Sequence, residues 1–228
     1  MEKKIIIYLL LIFFIIIAVT IPNPKLVLYT KPEINKLIPN KYYLKQSSVK
    51  DPFFPSVIKP VFGCKGKGVK FIKNKKELDI YLKKTNKVCF LQEYYGKNEA
   101  GVYYFKDPYF NKIKIITTLK DSSIWPTRCG NNWFKTHIPP CKEFKTSKKL
   151  KKAIIDICNK IPDFNVGRFD IRFNTFNELN NGNFKVIELN HKLAGDGLRF
   201  QKINPIKWME HLFEKIKVGF YNYISILI

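Results

Sequence analysis

The apolar segments of this chain are mostly short, and they come in neighbouring pairs. Runs of about four to eight residues, rich in apolar side chains and bounded by Gly, Pro or Asn, are typical of strands. Two strands joined by a short connection pair antiparallel. Strands that pair locally, with helices between the pairs, predict an α+β fold. The paired segments are residues 56–61 with 69–73, 99–105 with 112–119, and 166–173 with 184–190.

Two other segments have the periodicity of amphipathic helices. Residues 74–84 begin at Asn74, a predicted N-cap, and Glu77 occupies the capping-box position. Residues 147–161 end before a proline and form the second predicted helix. One face of this helix is apolar and carries Leu150, Ile154, Ile155, Cys158 and Ile161.

The remaining segments complete the predicted order of elements. Residues 88–95 read as a buried strand that leads to a turn at Gly96. A last helix begins at residues 204–205. Residues 22–55 hold several prolines and predict a linker that includes a strand at 41–46.

The net charge of +23 raises the question of an anionic partner. Nucleic acids and anionic membranes both attract lysine-rich surfaces. The lysines are scattered along the whole chain, however, and no zinc-finger spacing, basic zipper or aromatic RNA-binding signature accompanies them. A coding bias toward Lys, Asn and Ile is the simpler explanation, so nucleic acid is not favoured as the main partner. With 46% apolar residues in 228, the chain should fold as one domain with a short appendage.

An uncharged apolar run covers residues 5–21 and ends at Pro22. A helix of this length spans about 25 Å, close to the thickness of the hydrocarbon layer. A signal peptide is the alternative, but its apolar region normally has about 7 to 15 residues and precedes small residues at a cleavage site. The following "AVTIPNP" is a poor cleavage site. We therefore expect a single-pass membrane anchor over residues 1–22.

The flanking charges predict on which side of the membrane the domain lies. Lysines 25, 31, 36 and 41 outnumber Lys3 and Lys4, which places the domain in the cytosol. An odd number of cysteines without metal or disulfide spacing agrees with this compartment. We expect each of the five to be a buried thiol: Cys64, Cys89, Cys129, Cys141 and Cys158.

The loop "GCKGKG" joins the first pair of strands. It lacks the Lys-Ser or Lys-Thr of a P-loop, its glycines have the wrong spacing for a dinucleotide site, and it precedes a strand instead of a helix. A glycine loop between antiparallel strands can still close over phosphates with its backbone N–H groups. Lys59, on the preceding strand, would then neutralise the phosphates. The alternative is an ordinary hairpin turn.

Acids are scarce in this basic chain, yet two of them lie in the apolar strands of the last pair. Asp170 lies in one strand close to Arg168, and Glu188 and Asn190 share one face of the next strand because side chains alternate. Two adjacent antiparallel strands can point all of these side chains into one cleft. Oxygen ligands of this kind suit Mg²⁺, which bridges nucleotide phosphates. The alternative is a solvated hairpin with chance acids.

Four motifs in this order resemble the ATP-grasp family, in particular D-alanine–D-alanine ligases and other carboxylate-amine ligases. They are "VIKPVFGCKGKGV", "LQEYYGKNE", "GRFDIRF" and "VIELNHKLAGDG", within roughly residues 40–215. The resemblance implies two α+β subdomains that clasp ATP. The expected organisation is an anchor at 1–22, a linker at 23–40, the ATP-grasp domain at 41–218 and an apolar C-terminal tail at 219–228.

The resemblance also implies a role for individual residues. Lys59 would bind the ATP phosphates, and Arg168 would stabilise the transferring phosphoryl group. Glu99 would accept hydrogen bonds from the ribose. The lid glycines would be Gly63, Gly66 and Gly68; the adenine would lie along Gln92, Glu93, Tyr94 and Tyr95; and the Mg²⁺ ligands would be Asp170, Glu188 and Asn190.

The implied reaction is activation of a carboxylate by ATP and Mg²⁺ as an acyl phosphate, which an amine then attacks. Related ligases begin with a separate substrate-binding domain that is absent between the apolar run and Lys59, so a partner protein is expected to complete the acceptor site. The loop 191–200 would then supply acceptor contacts from Lys192 and Arg199, with His191 as a further candidate. A phosphotransferase and a non-catalytic nucleotide-binding scaffold stay open as alternatives.

Overall fold

The computed structural model describes residues 29–63, 66–107, 110–120, 142–162, 164–190 and 205–227. The predicted anchor at 1–22 and the predicted acceptor loop at 191–200, with His191, Lys192 and Arg199, lie outside these residues. No helix in the described part of the chain is both long enough and apolar enough to cross a bilayer.

The described elements are runs of strands with helices between them, as expected for an α+β fold. In chain order they are α1 (Lys31–Lys36), β1 (Gln46–Ser48), β2 (Ser56–Pro60), β3 (Lys70–Ile72), α2 (Lys75–Leu82), β4 (Cys89–Glu93), β5 (Asn98–Lys106), β6 (Ile113–Lys120), β7 (Lys142–Phe144), α3 (Lys148–Cys158), β8 (Val166–Phe173), α4 (Phe176–Asn180), β9 (Lys185–Asn190) and α5 (Pro205–Leu227). The strands form two antiparallel sheets, of order β1-β4-β2-β3 and β7-β6-β5-β8-β9. The predicted α+β class and all three strand pairs are confirmed.

The first sheet packs one face against α2. Ile58, Leu91 and Ile72 alternate with outward-facing neighbours along β2, β4 and β3 and form a core with Leu78. Helix α2 begins as predicted at Asn74, whose Oδ1 accepts the backbone N–H of Glu77 at 3.0 Å. The opposite face of this sheet carries the side chains of Lys59 and Gln92.

The second sheet packs one face against α3. Apolar side chains at alternate positions of β5, β8 and β9 are almost fully buried there, and burial of each stabilises the fold by about 1.5–3 kcal/mol. The helix contributes Leu150, Ala153, Ile154, Ile157, Cys158 and the following Ile161. Ile155, predicted on this face, is only partly buried, because it lies about 100° of helical rotation beyond Ile154, outside the centre of the face.

The N-terminal segment, residues 29–44, covers the edge of the second sheet at β9. Thr30 and Glu33 form a capping box that begins α1, and Ile34 and Ile38 enter the core. The carbonyl of Tyr42 then accepts the Val186 N–H at 2.9 Å. The strand predicted at 41–46 is wrong except for Gln46, where β1 begins. Residues 41–45 are held by the buried side chains of Tyr42 and Leu44 instead of by pairing in a sheet.

The connection from β8 to β9 differs from the simple hairpin that the sequence predicted. It contains α4, which begins at a capping box between Thr175 and Glu178. Helix α5 begins at Pro205, as predicted, and runs to Leu227, through most of the predicted tail at 219–228. Val218 of α5 packs at one end of the other face of the second sheet, against Tyr103, Phe105, Ile116 and Val166.

Candidate functional site

The face of the second sheet opposite α3 carries a row of polar residues, which we call the polar face. Because strand side chains alternate, the residues between Phe169, Ile171 and Phe173 on β8 point away from the core. The strand register places Asp170 opposite Glu188 on β9 and Arg168 opposite Asn190. The polar face therefore comprises Glu99 and Tyr103 on β5, Arg168, Asp170 and Arg172 on β8, and Glu188 and Asn190 on β9.

Asp170 is the centre of this face. Its Oδ2 accepts a hydrogen bond from Nη2 of Arg168 at 2.9 Å and a second from Nδ2 of Asn190 at 3.3 Å. The Arg168 and Asp170 side chains are only 19% and 9% exposed, so this ion pair is largely shielded from water. The structure thus brings Arg168 together with the three predicted metal-binding residues.

Glu188 has a partner that the sequence did not reveal. Nζ of Lys31, the first residue of α1, lies 2.9 Å from Oε1 of Glu188, and each side chain is 34% exposed. Thr30, Pro32 and Glu33 could have predicted the start of a helix at Lys31. Its contact with Glu188 depends on the path of the N-terminal segment along β9, which no local pattern indicates.

Lys59 connects the two sheets. Its Nζ donates to Oε1 of Gln92 at 2.6 Å and to the backbone carbonyl of Ile187 at 3.2 Å, next to Glu188. Burial lowers the pKa of Lys59, and the nearby positive charge of Lys31 adds to this shift. The opposite shift comes from the carboxylates of Glu188, Glu99 and Asp170. Nζ of Lys59 is therefore buried between the first sheet and β9, next to Glu188 of the polar face, where an anion would offset the cost of its burial.

The glycine loop joins β2 to β3 as predicted, and residues 64–65 lie outside the described part. Gly66 and Gly68 have positive φ values of 70° and 77°, which favour glycine. A Cβ at Gly68 would lie 2.9 Å from Cγ of Pro60, whereas one at Gly66 would meet nothing within 4 Å and one at Gly63 nothing nearer than 3.6 Å. The hydroxyl of Tyr81 donates to the Gly68 carbonyl at 2.6 Å, which holds that end of the loop on α2.

The four residues predicted along the adenine follow one another from the end of β4, but their side chains diverge. Gln92 points to Lys59, whereas Oε2 of Glu93 accepts the Lys45 N–H at 3.2 Å at the sheet edge. The Tyr94 ring lies between the Phe71 ring, 4.9 Å away edge-on, and the Arg172 guanidinium, 4.9 Å above it. Burial, followed by the Glu178 and Glu93 carboxylates, raises the pKa of Tyr95.

The turn at Gly96, predicted from the sequence, leads from the first sheet to the second. Gly96 has a φ of 65°, and a Cβ there would lie 2.9 Å from both N and O of Phe173. The next N–H, of Lys97, donates to the Phe173 carbonyl at 3.2 Å. Only glycine allows the backbone to pass this close to β8. Glu99 follows on β5 and is 9% exposed, opposite Arg172.

The oxygen donors on the polar face fit a hard divalent cation. Asp170, Glu188 and Asn190 supply two carboxylates and an amide oxygen from adjacent strands, and Mg²⁺ typically keeps several waters besides one or two protein carboxylates. No group of three or more His, Cys, Asp or Glu is assembled as a ready metal site in the part of the chain that the structure describes. The residues therefore fit a cation that arrives with further oxygen ligands of its own.

Solved structures with this arrangement of sheets include several ligases. The chain is similar to L-amino acid ligase from Bacillus licheniformis, with a TM-score of 0.55 and 14% identity over 82% of this chain and 47% of the ligase. It is similar to the ATP-grasp ligase PsnB in complex with a phosphomimetic variant of its minimal precursor, Mg and ADP (TM-score 0.53, 15% identity, 82% of this chain and 57% of PsnB). D-alanine–D-alanine ligase from Bacillus anthracis complexed with ATP gives a TM-score of 0.50 at 16% identity, over 83% of this chain and 66% of the ligase.

The chain thus spans between 47% and 66% of the length of these three proteins. No protein-family model and no curated protein matches its sequence.

Proposed function

We propose that the chain binds ATP with Mg²⁺ in the cleft between its two sheets. The proposal starts from the ATP-grasp fold, which its motifs implied and which it shares with these solved structures. The observation that carries this proposal is the contact of Lys59 Nζ, from the first sheet, with the Ile187 carbonyl beside Glu188 of the second. A phosphate-binding cation and the oxygen donors for a metal therefore lie at one place. The solved structures of PsnB with Mg and ADP and of a D-alanine–D-alanine ligase with ATP support the choice of ligand.

The proposed roles of the residues in the cleft are those that the motifs implied. Lys59 and the glycines at 63, 66 and 68 would bind the phosphates, while Gln92 to Tyr95 and Glu99 would hold the nucleoside. Asp170, Glu188 and Asn190 would hold Mg²⁺, which shields the phosphate charge when bound. Arg168, already fixed by Asp170 at 2.9 Å, would face the transferring phosphoryl group, where a preorganised cation stabilises developing charge.

The proposed reaction is amide formation between a carboxylate and an amine. A carboxylate oxygen attacks the γ-phosphorus of ATP, the bond to the bridging oxygen breaks, and ADP leaves with that oxygen. The amine then attacks the carbonyl carbon of the acyl phosphate and loses a proton, and inorganic phosphate departs. The first step converts a poor leaving group into a good one. Acceptor residues in the loop 191–200 and a partner protein that completes the acceptor site remain part of the proposal.

A phosphotransferase is the second candidate, since the chain spans only 47% of the length of the first of these ligases. If the part that holds a carboxylate and an amine is not supplied, a hydroxyl could receive the γ-phosphoryl group at the same cleft. A nucleotide-binding scaffold would use the cleft without turnover. Hydroxylamine distinguishes the candidates when pooled carboxylates and pooled hydroxyl compounds are supplied with ATP. A ligase yields a hydroxamate, a phosphotransferase yields a phosphorylated hydroxyl compound, and a scaffold yields neither.

Lys59→Met tests the cleft itself in the full-length chain. ATP with Mg²⁺ should raise the melting temperature of the wild type, because a ligand that binds only the folded state stabilises it. Loss of the Lys59 ammonium should weaken ATP binding about tenfold to hundredfold, the usual effect of losing a charged hydrogen bond. Lys70→Met removes the same charge from an exposed position on β3 and should leave the shift unchanged. An equal shift in wild type and Lys59→Met would reject the phosphate role of Lys59.

Anchoring to a membrane is a separate proposal, based on the apolar run 5–21 and the lysines that follow it. The full-length protein should sediment with membranes and resist carbonate extraction, and protease added from the cytosolic side should cleave the domain. Mature protein that begins near residue 21 would show that the run is a cleaved signal peptide instead.

A further inference from the structure

The N-terminal segment brings a cation to the proposed metal ligand. Lys31 Nζ lies 2.9 Å from Oε1 of Glu188, so the ammonium occupies one side of a carboxylate that would also bind Mg²⁺. The segment is held firmly at this place, since Ile34 and Ile38 belong to the core of the second sheet and the Tyr42 carbonyl accepts the Val186 N–H. Lys31 is therefore a fixed neighbour of the site.

The two carboxylates among the proposed metal ligands each have an ion-pair partner in the absence of a metal. Lys31 pairs with Glu188 and Arg168 pairs with Asp170, so each carboxylate among the proposed ligands already has its own cation. An ion pair as exposed as Lys31–Glu188 adds at most about 1 kcal/mol to the stability of the fold. The ion pair therefore contributes little to stability, but it places a positive charge beside any cation that binds the same carboxylate.

We propose that Lys31 and the metal compete for Glu188, so that Lys31 sets the affinity of the site for the cation. This inference rests on the proposed function, because it takes Glu188 as a metal ligand. Lys31 acts through Glu188 and is a positioning residue. When a divalent cation binds the Glu188 carboxylate, the ammonium gives up its 2.9 Å contact and turns away from the cation that repels it.

Competition has a consequence for the order of events at the site. A metal that arrives alone must displace Lys31 and also remains close to Arg168 and Lys59, so the site disfavours the free cation. A metal that arrives with nucleotide phosphates brings negative charge that offsets these cations. The arrangement thus selects the metal–nucleotide complex over the bare ion.

Binding of Mn²⁺, an oxygen-preferring stand-in for Mg²⁺, measures the competition directly. The full-length chain is saturated with a non-hydrolysable ATP analogue, and free Mn²⁺ is followed by its electron paramagnetic resonance signal. Lys31→Met should bind Mn²⁺ about three- to tenfold more tightly than wild type, from loss of the ion pair and of a repelling charge. Lys31→Arg retains the cation and should stay near wild type. Lys36→Met removes the same charge from an exposed position of α1 and should change the affinity less than about twofold, as screening of distant surface charges requires.

A second measurement separates competition from a general structural effect. Without metal, Lys31→Met should bind the ATP analogue no more tightly than Lys36→Met, since loss of a cation near the phosphates does not favour an anion, so tighter Mn²⁺ binding reports on the metal alone. Equal Mn²⁺ affinities in Lys31→Met and Lys36→Met, or weaker binding in Lys31→Met, would overturn the inference while leaving the proposed function intact. A wild type that takes up no Mn²⁺ with the nucleotide would overturn both.

Discussion

Glu188→Gln should lower the rate of ADP formation about a hundredfold or more while ATP affinity falls much less. The substitution keeps the shape of the side chain and removes one negative charge from the proposed metal ligands. That charge matters most as the γ-phosphoryl group leaves, so the loss falls mainly on the transition state. A hundredfold change corresponds to about 3 kcal/mol of transition-state stabilisation. Steady-state turnover and equilibrium binding of ATP, measured on the same preparations, give the two numbers.

Two comparisons make this result specific. Arg168→Ala should also depress turnover more than binding, because its guanidinium is proposed to face the transferring group. Glu214→Gln removes one acid from α5, where Glu214 lies 4.0 Å from Lys217, and should leave turnover unchanged because Glu214 is not among the proposed site residues. If wild type bound the nucleotide tightly without consuming it, and Glu188→Gln behaved in the same way, only the scaffold candidate would remain.

Gly96→Ala should lower the free energy of unfolding by about 2–4 kcal/mol. An alanine at a φ of 65° costs about 1–2 kcal/mol in the left-handed region. Its Cβ would also lie 2.9 Å from N and O of Phe173, and backbone atoms of a central strand cannot move aside cheaply. The two sheets would therefore separate or β8 would shift. Urea unfolding followed by circular dichroism measures the change.

Gly66→Ala is the matched control for this effect. Gly66 has a similar φ of 70°, but an added Cβ there meets no atom within 4 Å. The free energy of unfolding of Gly66→Ala should therefore fall only by the backbone strain, about 1–2 kcal/mol. Equal losses at both positions would mean that contact with Phe173 adds nothing and that the junction between the sheets is looser than the structure shows.

Local patterns predicted those parts of the fold and the site that depend on alternation along a strand. Alternating side chains on β8 and β9, together with antiparallel pairing, were sufficient to place Asp170, Glu188 and Asn190 on one face. The N-cap of α2 at Asn74 was equally local. Such features need only near neighbours in the sequence or one correctly paired strand.

Contacts between distant segments could not be predicted in this way. Lys59 meets the Ile187 carbonyl across 128 positions of sequence, and Lys31 meets Glu188 because the N-terminal segment follows the edge at β9. The prediction of a strand at 41–46 was wrong for a related reason. Tyr42 and Leu44 are spaced as in a strand and are both buried, but residues 41–45 belong to no strand. The helix α4 was missed although Thr175 and Glu178 carry a capping box, since the asparagine-rich stretch that follows resembled a turn.

The alternation along β8 restricts how the gene for this chain can change in length. Between Val166 and Phe173, residues of the polar face and residues of the core follow one another in turn. Deletion of one codon within this strand would turn Arg168 and Asp170 toward α3 and bring Phe169 and Ile171 into the cleft. Core and site would be lost together, so we expect this strand to tolerate substitutions but not single-codon deletions or insertions. The connection between β8 and β9 carries no residue of the proposed site, so a change of length there would preserve the alternation along both strands.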